Sequence, residues 1–506
     1  MRLVKHLFIS FSVIFLLLES AVAQRDTLPK PEVSITKHQI SIEGKSIAYT
    51  ATAGTMLLRD EQNEPIALYG FTAYIKDGAQ DQSSRPIMFA YNGGPGSSSV
   101  WLHLGVLGPK RTVVNDPGFT PAAPYRLEDN NYSVLDMADL VMVDPVGTGL
   151  SRPIGKAKGK DFWGVDQDMR TVSLFIKQFV TENKRWNSPK YLLGESYGTL
   201  RSAAVANYLD GRLGMALNGV IMVSAVFDIR TLNFAQGDDI SYPLNLPTYA
   251  ATAWYHNKVP NKPASLEKFI QESREFAEGE YTSALMKGDR LPDAEKEKIV
   301  ERLAYFTGLN KDYIRMADLR VQASEFGQEL LRDEGLTVGR LDSRFKGINQ
   351  EPLSQGWQYD PQSSAISPAY KATFMDYFYN QLKVNPEITY NFTARDGNPD
   401  FNWDWSHSAN GRGGFPRTTN TGVDMAEAMT KNPNLEILIL NGYYDIATPF
   451  FGVEYTIDHL GLEPEIKKNI TMKYYEAGHM MYTHKPSLIA FKKDIADFIK
   501  KTMARP

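Results

Sequence analysis

Residues 191–198 read YLLGESYG, a short apolar run that ends in the pattern Gly-x-Ser-x-Gly, and an amphipathic segment begins at Thr199. This order predicts a strand, a sharp turn and a helix, with Ser196 exposed on the turn as in a nucleophile elbow. Glycine is expected at 194 and 198 because a Cβ at either position would clash in so tight a turn. The pattern alone is weak evidence in a chain with 38 glycines. The strand-turn-helix context makes Ser196 a candidate nucleophile.

Apolar runs on both sides of this turn predict the rest of a sheet. Two β-rich runs, Ser46–Thr52 and Pro65–Ile75, indicate an antiparallel start. Continuous apolar strands then alternate with amphipathic helices, which is typical of a mostly parallel sheet covered on both faces. The predicted strands of this part are Pro86–Tyr91, Asp139–Asp144, Lys190–Leu193, Leu217–Ser224, Leu435–Asn441 and Thr471–Tyr475. Two of the helical core faces are formed by Met169, Val172, Phe175 and Phe179, and by Leu488, Phe491, Ile495 and Phe498.

The strand rhythm stops between residues 227 and 422. This region is rich in helix formers and charge, and then in aromatic residues, proline and glycine. We interpret residues 227–422 as a largely helical cap, or lid, inserted between two strands of one sheet. The core is then predicted to consist of residues 30–226 and 423–506.

Composition limits the class of protein. The chain has 506 residues, 42% of them hydrophobic, and a net charge of -4, so no electrostatic feature favours nucleic acid as a partner. Residues 1–23 combine basic residues, a short apolar core and small residues at the end, which predicts a secretory signal peptide cut after Ala23. An uncleaved membrane anchor is the alternative. Because the chain has no cysteine, disulfides and a lipoprotein anchor are excluded, and export to a bacterial periplasm or secretion fits best. We expect no stable membrane association after cleavage.

Two further residues complete a possible catalytic set with Ser196. A serine hydroxyl needs a base within hydrogen-bond reach and a third group that fixes that base. Asp445 follows the predicted strand 435–441, and His479 follows the predicted strand 471–475. The order Ser, Asp, His along the chain, each at a strand end, is the order in an α/β-hydrolase sheet. Taken singly, Asp445 and His479 could equally be ordinary loop residues.

The segment Tyr91–Ser99 reads YNGGPGSSS and directly follows another predicted strand. A tetrahedral oxyanion needs two backbone N–H groups, one from the residue after the nucleophile and one from a glycine-rich loop. Tyr197 and Gly94 are the candidates.

Binding of a cofactor or metal is not indicated by the sequence. The glycine-rich loop at 92–99 lacks the ending of a P-loop, and Arg152 replaces the third glycine of a dinucleotide fingerprint at residues 147–152. His479 and His484 have no nearby cysteine or acidic pair that would suggest a metal site. We expect no cofactor and no metal.

Several motifs together resemble the serine carboxypeptidases, peptidase family S10 of the carboxypeptidase C or cathepsin A type. They are residues 92–99 (NGGPGSSS), residues 131–133 (NYS) through 144–149 (DPVGTG), residues 194–198 (GESYG), Asp445, and residues 478–480 (GHM). The motifs occur in the family's order over most of the mature chain, and they are far more specific than Gly-x-Ser-x-Gly.

The resemblance implies roles for individual residues. Ser196, Asp445 and His479 would form the triad, and Gly94 and Tyr197 the oxyanion hole. Asn92, Gly93 and Glu195 would bind the C-terminal carboxylate of a peptide substrate. A carboxyl beside that carboxylate repels it unless one of the two is protonated, so Glu195 is expected to be neutral in the complex, with an acidic activity optimum.

This chain departs from the family pattern near the expected carboxylate site. Well-known members have Trp and Glu at the positions of Ala90 and Val106, so recognition is either rebuilt by other groups or relaxed. The family cysteine is replaced by Ser97, and an acidic residue before the triad Asp by Tyr443. The interpretation favoured by the sequence is an exported serine carboxypeptidase acting through an acyl-enzyme. An esterase or acyltransferase with the same triad, and a non-catalytic binding protein, are the alternatives.

Overall fold

We describe residues 28–407 and 418–504 from a computed structural model. The strands are β1 Val33–Ile42, β2 Lys45–Arg59, β3 Pro65–Lys76, β4 Ile87–Tyr91, β5 Lys110–Thr112, β6 Leu127–Asp129, β7 Asp139–Asp144, β8 Arg152–Pro153, β9 Lys190–Glu195, β10 Gly219–Val223, β11 Leu336–Val338, β12 Lys346–Ile348, β13 Glu436–Gly442 and β14 Ile470–Tyr475. The predicted signal peptide lies outside the described residues.

The α-helices are α1 Val100–Leu102, α2 Val165–Glu182, α3 Tyr197–Leu213, α4 Ser241–Tyr255, α5 Leu266–Phe276, α6 Thr282–Lys287, α7 Asp293–Thr307, α8 Lys311–Met316, α9 Ala323–Glu329, α10 Pro361–Asp376, α11 Ala394–Gly397, α12 Gly422–Lys431, α13 Phe450–Asp458, α14 Pro464–Lys467 and α15 Lys485–Met503. None of the helices within the described ranges is both long enough and apolar enough to cross a membrane.

A ten-stranded sheet forms the centre of the described chain, in the order β1-β2-β3-β7-β4-β9-β10-β13-β14, with β8 paired to β3. The strands β1, β2, β3 and β7 pair antiparallel. From β7 to β14 every neighbouring pair is parallel. The carboxyl ends of the parallel strands therefore meet at one edge of the sheet, where the loops after β4, β9, β13 and β14 lie together.

The predicted mostly parallel sheet and its antiparallel start are confirmed. The six predicted strands of the parallel part are present, with ends that differ by at most two residues; the strand predicted at 190–193 continues to Glu195. The start is larger than predicted, because β2 spans 15 residues and β1 adds a further strand. β1 alternates exposed with half-buried residues at the sheet edge, so it has little of the apolar signal that marks a central strand.

Each face of the sheet is covered by a hydrophobic core. Phe175 and Phe179 of α2 pack on one face with the side chains of β4, β9 and β10 that point there. Phe491 and Ile495 of α15 pack on the opposite face. Because side chains alternate along a strand, neighbouring residues of the central strands enter different cores, which is why those strands read as continuous apolar runs.

The two ends of the segment between β10 and β13 lie side by side, because Asp228 and Asn420 form an isolated antiparallel bridge. Its helices α4–α9 share a core with Tyr444, Ile446 and Phe450. The following helix α10 instead packs into the core on one face of the sheet, through residues such as Ile366 and Tyr370. The segment thus has two parts with different cores; the division into core and cap at 227–422 remains a prediction.

Candidate active site

Ser196 lies on the turn between β9 and α3. Its φ of 60° and ψ of -131° place it in a strained region that non-glycine residues rarely adopt, at a cost of roughly 1–3 kcal/mol. The strain is held by packing: a Cβ at Gly194 would lie 2.2 Å from the carbonyl oxygen of Gly198, and one at Gly198 would lie 3.0 Å from that of Tyr91. The clash predicted for Gly194 is confirmed, and Gly198 is in tight contact. The turn therefore presents a partly exposed serine at the carboxyl edge of the sheet.

His479 and Asp445 meet at the same edge. Nδ1 of His479 lies 2.8 Å from Oδ2 of Asp445, so the carboxylate accepts the Nδ1 proton and leaves Nε2 as the acceptor nitrogen. Asp445 is fully buried, and His479 is 4% exposed. The structure thus brings together the base and the acid that the sequence predicted from separate strand ends.

The Asp445 carboxylate is held by a turn that the sequence reasoning missed. Oδ1 accepts the backbone N–H groups of Ala447 at 2.9 Å and Thr448 at 3.0 Å. The Thr448 hydroxyl donates to Oδ2 at 2.6 Å. An Asp followed two and three residues later by N–H donors is a common turn motif, and the threonine three residues after Asp445 was the available signal. These bonds fix the carboxylate that orients His479.

The glycine-rich loop after β4 packs directly on the turn that carries Ser196. A Cβ at Gly93 would lie 2.5 Å from the backbone nitrogen of Tyr197 and 2.7 Å from that of Gly198. Gly94 follows with a φ of 107°, a conformation that favours glycine. The two loops predicted to supply oxyanion donors are therefore in contact, and the roles of Gly94 and Tyr197 remain predictions.

Glu195 is the most perturbed carboxyl group beside the candidate nucleophile. The Asn92 side-chain amide donates to Oε1 at 2.8 Å, and the Tyr482 hydroxyl donates to Oε2 at 2.7 Å. Burial raises the pKa of Glu195 to about 7, against the lowering effects of His479 and of the two hydrogen bonds. A carboxyl in this state gains a proton at mildly acidic pH. Tyr482 was not predicted, and no motif quoted above contains it.

Opposing effects act on His479. Burial alone lowers the pKa of the imidazole, whereas the charge and hydrogen bond of Asp445 and the charge of Glu195 raise it. The result is a pKa above the ordinary value. Glu195 and His479 therefore act on each other: an ionised carboxyl favours the imidazolium, and the imidazolium favours the ionised carboxyl.

A buried ion pair supports the floor of the site. Arg201 on α3 donates to Asp168 at 2.7 Å and to the carbonyl oxygen of Asn92 at 2.8 Å. Its guanidinium also lies over the rings of Tyr91 and Tyr197, 4.9 and 5.2 Å from their centres. This cation links the glycine-rich loop to the helix after Ser196. The sequence reasoning missed it because an arginine on a helix usually faces solvent.

Two of the positions that depart from the family pattern are buried in apolar surroundings. Ala90 is 0% exposed and Val106 is 1% exposed, and both belong to the core on the face covered by α15. Tyr443 stacks on Tyr474, away from the His479–Asp445 hydrogen bond. The space beside Glu195 is filled by Tyr482 instead.

Comparison with known proteins agrees with this arrangement. A family model described as serine carboxypeptidase matches residues 69–494. The pheromone-processing carboxypeptidase KEX1 of Phytophthora infestans is 30% identical over 167 residues, a stretch that covers 33% of this chain and only 24% of that protein.

The crystal structure of the prohormone-processing carboxypeptidase Kex1 from Saccharomyces cerevisiae has 18% sequence identity and a TM-score of 0.53, covering 95% of this chain and 93% of the other. This likeness shows a shared fold, and with the strand order above it confirms the predicted α/β-hydrolase fold. The family match extends over most of the chain, from β3 to α15. The chain belongs to the serine carboxypeptidase family.

Proposed function

We propose that this protein is a serine-type carboxypeptidase that hydrolyses the C-terminal peptide bond of peptides through an acyl-enzyme intermediate, with activity favoured at acidic pH. Ser196 is the nucleophile, His479 is the general base, and Asp445 orients the imidazole. The observation that carries the proposal is the buried Glu195, whose pKa is raised to about 7 and which precedes Ser196 by one residue.

The reaction follows from the geometry at His479. Because Nδ1 is bonded to Asp445, Nε2 takes the Ser196 hydroxyl proton as the oxygen attacks the carbonyl carbon. The imidazolium then donates this proton to the leaving amine, and water attacks the acyl-enzyme by the same route in reverse. In the proposal the backbone N–H groups of Gly94 and Tyr197 bind the oxyanion.

Asn92, Gly93 and Glu195 bind the substrate's free carboxylate in this proposal. An ionised Glu195 would repel that carboxylate, whereas a protonated one donates a hydrogen bond to it. The charges of Glu195 and His479 act on each other, so a protonated Glu195 no longer stabilises the imidazolium of His479. A bound carboxylate favours the state with the proton on Glu195, and that state leaves His479 neutral and able to act as the base.

Three substrates test this function. The mature protein is incubated with an N-blocked dipeptide that has a free C-terminus, with its C-terminal amide, and with a simple ester of the same acyl group. Hydrolysis of the free acid with the amide left intact supports a carboxypeptidase, and the variant Ser196→Ala should abolish it. Hydrolysis of the ester alone would indicate an esterase or acyltransferase with the same triad, and no turnover at all would indicate a binding protein.

Export is a separate part of the proposal. The predicted signal peptide and the absence of cysteine support a periplasmic or secreted enzyme acting on peptides. Mass spectrometry of the protein recovered from the cell exterior or periplasm should find a chain that begins at Gln24. A chain retained in the membrane with residues 1–23 intact would instead support the anchor.

A further inference from the structure

Tyr482 has no role in the reaction proposed for Ser196, His479 and Asp445. It lies on a single turn of 3₁₀ helix, Met481–Thr483, three residues after His479. Its ring is fully buried, and its hydroxyl is 2.7 Å from Oε2 of Glu195. The same short loop therefore carries the candidate base and a direct partner of the candidate carboxylate-binding acid.

A glycine, Gly105, accommodates the ring of Tyr482. Gly105 lies under it, so that a Cβ there would be 2.3 Å from Cε2 of Tyr482 and 3.1 Å from the hydroxyl oxygen of Tyr370. The neighbouring Val106 stands where well-known family members have an acid. The glycine that accommodates the buried tyrosine is thus the chain neighbour of the position where valine replaces that acid.

We propose that Tyr482 is a positioning residue that fixes the Glu195 carboxyl against Asn92 and sets the pH above which the carboxylate subsite stops binding substrate. This rests on the proposed function of that subsite. Asn92 Nδ2 can only donate, so Oε1 is an acceptor in both protonation states, and the Glu195 proton resides on Oε2, facing Tyr482.

A hydroxyl suits both states of Glu195 in the free enzyme, because it donates to a carboxylate and accepts from a carboxylic acid; a bound substrate carboxylate then replaces Tyr482 as the acceptor of the Glu195 proton. Burial keeps the pKa of Tyr482 well above its ordinary value, so the hydroxyl keeps its proton over the working range. A hydrogen bond to an ionised group is stronger than one to a neutral group. Tyr482 therefore favours the ionised Glu195 and holds its pKa lower than burial alone would.

The other titratable groups that act on Glu195 come from three elements. His479 and Asp445, on the loops after β14 and β13, act in opposite directions on its pKa. Burial raises the pKa of Tyr370 on α10, and the charge of Glu195 raises it further. Tyr370 makes no hydrogen bond to Glu195 among the described contacts, so it provides a matched control: a neighbouring buried phenol without the bond.

The test uses the full-length mature protein and the variants Tyr482→Phe, Tyr370→Phe and Glu195→Gln. For Tyr482→Phe the alkaline midpoint of kcat/KM on the free-acid peptide should move upward by about one pH unit, a tenfold change in the protonation equilibrium. Tyr370→Phe should leave the midpoint within experimental error of the wild type. In a Glu195→Gln background, Tyr482→Phe should move nothing. A uniform loss of activity in Tyr482→Phe with an unmoved midpoint would mean that the tyrosine only fills space, and would overturn the proposal.

A second measurement does not depend on catalysis. Burial raises the pKa of Glu195 in the folded state, so this group's contribution to stability is complete below its unfolded pKa and is lost as pH rises through about 7. In Tyr482→Phe that loss should extend to a pH about one unit higher, as followed by the midpoint of thermal unfolding, and Glu195→Gln should remove it. Gly105→Ala, which displaces the ring, should shift the curve in the same direction as Tyr482→Phe.

The outcomes separate the two proposals. If the wild type fails to cleave the free acid but the unfolding curves shift as stated, the proposed function is wrong and the role of Tyr482 in holding Glu195 stands. Superimposable unfolding curves for wild type and Tyr482→Phe would refute that role.

Discussion

Replacing Glu195 by glutamine tests whether a protonated carboxyl is what the site requires. Glutamine has the same shape, can accept from Asn92 at its amide oxygen and can donate from its amide nitrogen, as a protonated glutamic acid does. It cannot ionise. If protonated Glu195 binds the substrate carboxylate, the variant is a permanent form of the active state.

The expected magnitude follows from the pKa of about 7 for Glu195. Above this pH each further unit leaves about ten times fewer wild-type molecules with Glu195 protonated, so kcat/KM should fall about tenfold per unit. Glu195→Gln should keep its activity to at least pH 8.5. The loss should appear mainly as a higher KM in the wild type, because the group binds substrate.

The pH dependence of the free energy of unfolding tests the raised pKa of Glu195 independently of activity. The interval from the ordinary pKa of 4.5 to about 7, at roughly 1.4 kcal/mol per pH unit, corresponds to about 3 kcal/mol. The raised folded pKa means that this free energy is present below pH 4.5 and is lost as pH rises through about 7. Urea unfolding at pH 4.5 and pH 8.5 should therefore show a decline in the wild type that is about 3 kcal/mol larger than in Glu195→Gln. Activity profiles that superimpose, together with equal declines in stability, would refute the assignment of a proton to Glu195.

The remaining predictions concern the groups around this site. Asp445→Asn should lower kcat about 10³- to 10⁴-fold with little change in KM, because the Nδ1 proton of His479 loses its acceptor; an unchanged kcat in steady-state assays would contradict the triad. Arg201→Met should lower the free energy of unfolding by about 3–5 kcal/mol, because Asp168 is left buried and unpaired, and the double variant with Asp168→Asn should recover part of the loss in urea titrations. Two carboxylates, Asp166 and Asp424, outweigh burial and raise the pKa of His407 to about 9, so its contribution to stability is present below about pH 6.5 and is lost as pH rises through about 9. In His407→Asn that part of the pH dependence of thermal unfolding should be missing; a curve parallel to the wild type would show that His407 is not protonated in the folded protein.

Local sequence patterns were enough to predict the parallel sheet and the edge where the site lies. Residues 435–441 and 471–475 are apolar over much of their length, and each run is followed by a loop that contains one of the two candidates, Asp445 or His479. Because parallel strands end at the same edge, two local patterns were sufficient to predict a contact between residues 34 positions apart.

The contacts of Tyr482 and Arg201 could not be predicted in this way. Arg201 is buried only because its guanidinium reaches Asp168 on another helix, and nothing in the residues near 201 indicates that distance. Tyr482 packs on Gly105, which is 377 positions away, and nothing in the residues near 482 indicates that contact. Such pairs depend on how the elements pack, and a periodicity within one element carries no information about them.

The two cores of the segment between β10 and β13 bear on how this enzyme could be recombined with its relatives. Helices α4–α9 and β11 contribute to the core that includes Tyr444 and Phe450, and Trp357 also packs against it, whereas Phe345 and Tyr370 belong to the core on the sheet. An exchange of helices α4–α9 between homologues would leave the packing of α10 on the sheet unchanged. A longer exchange that included α10 would also replace Tyr370, and the new side chain would have to fit against Gly105. The outcome of such an exchange is therefore expected to depend on which of the two cores its boundary cuts.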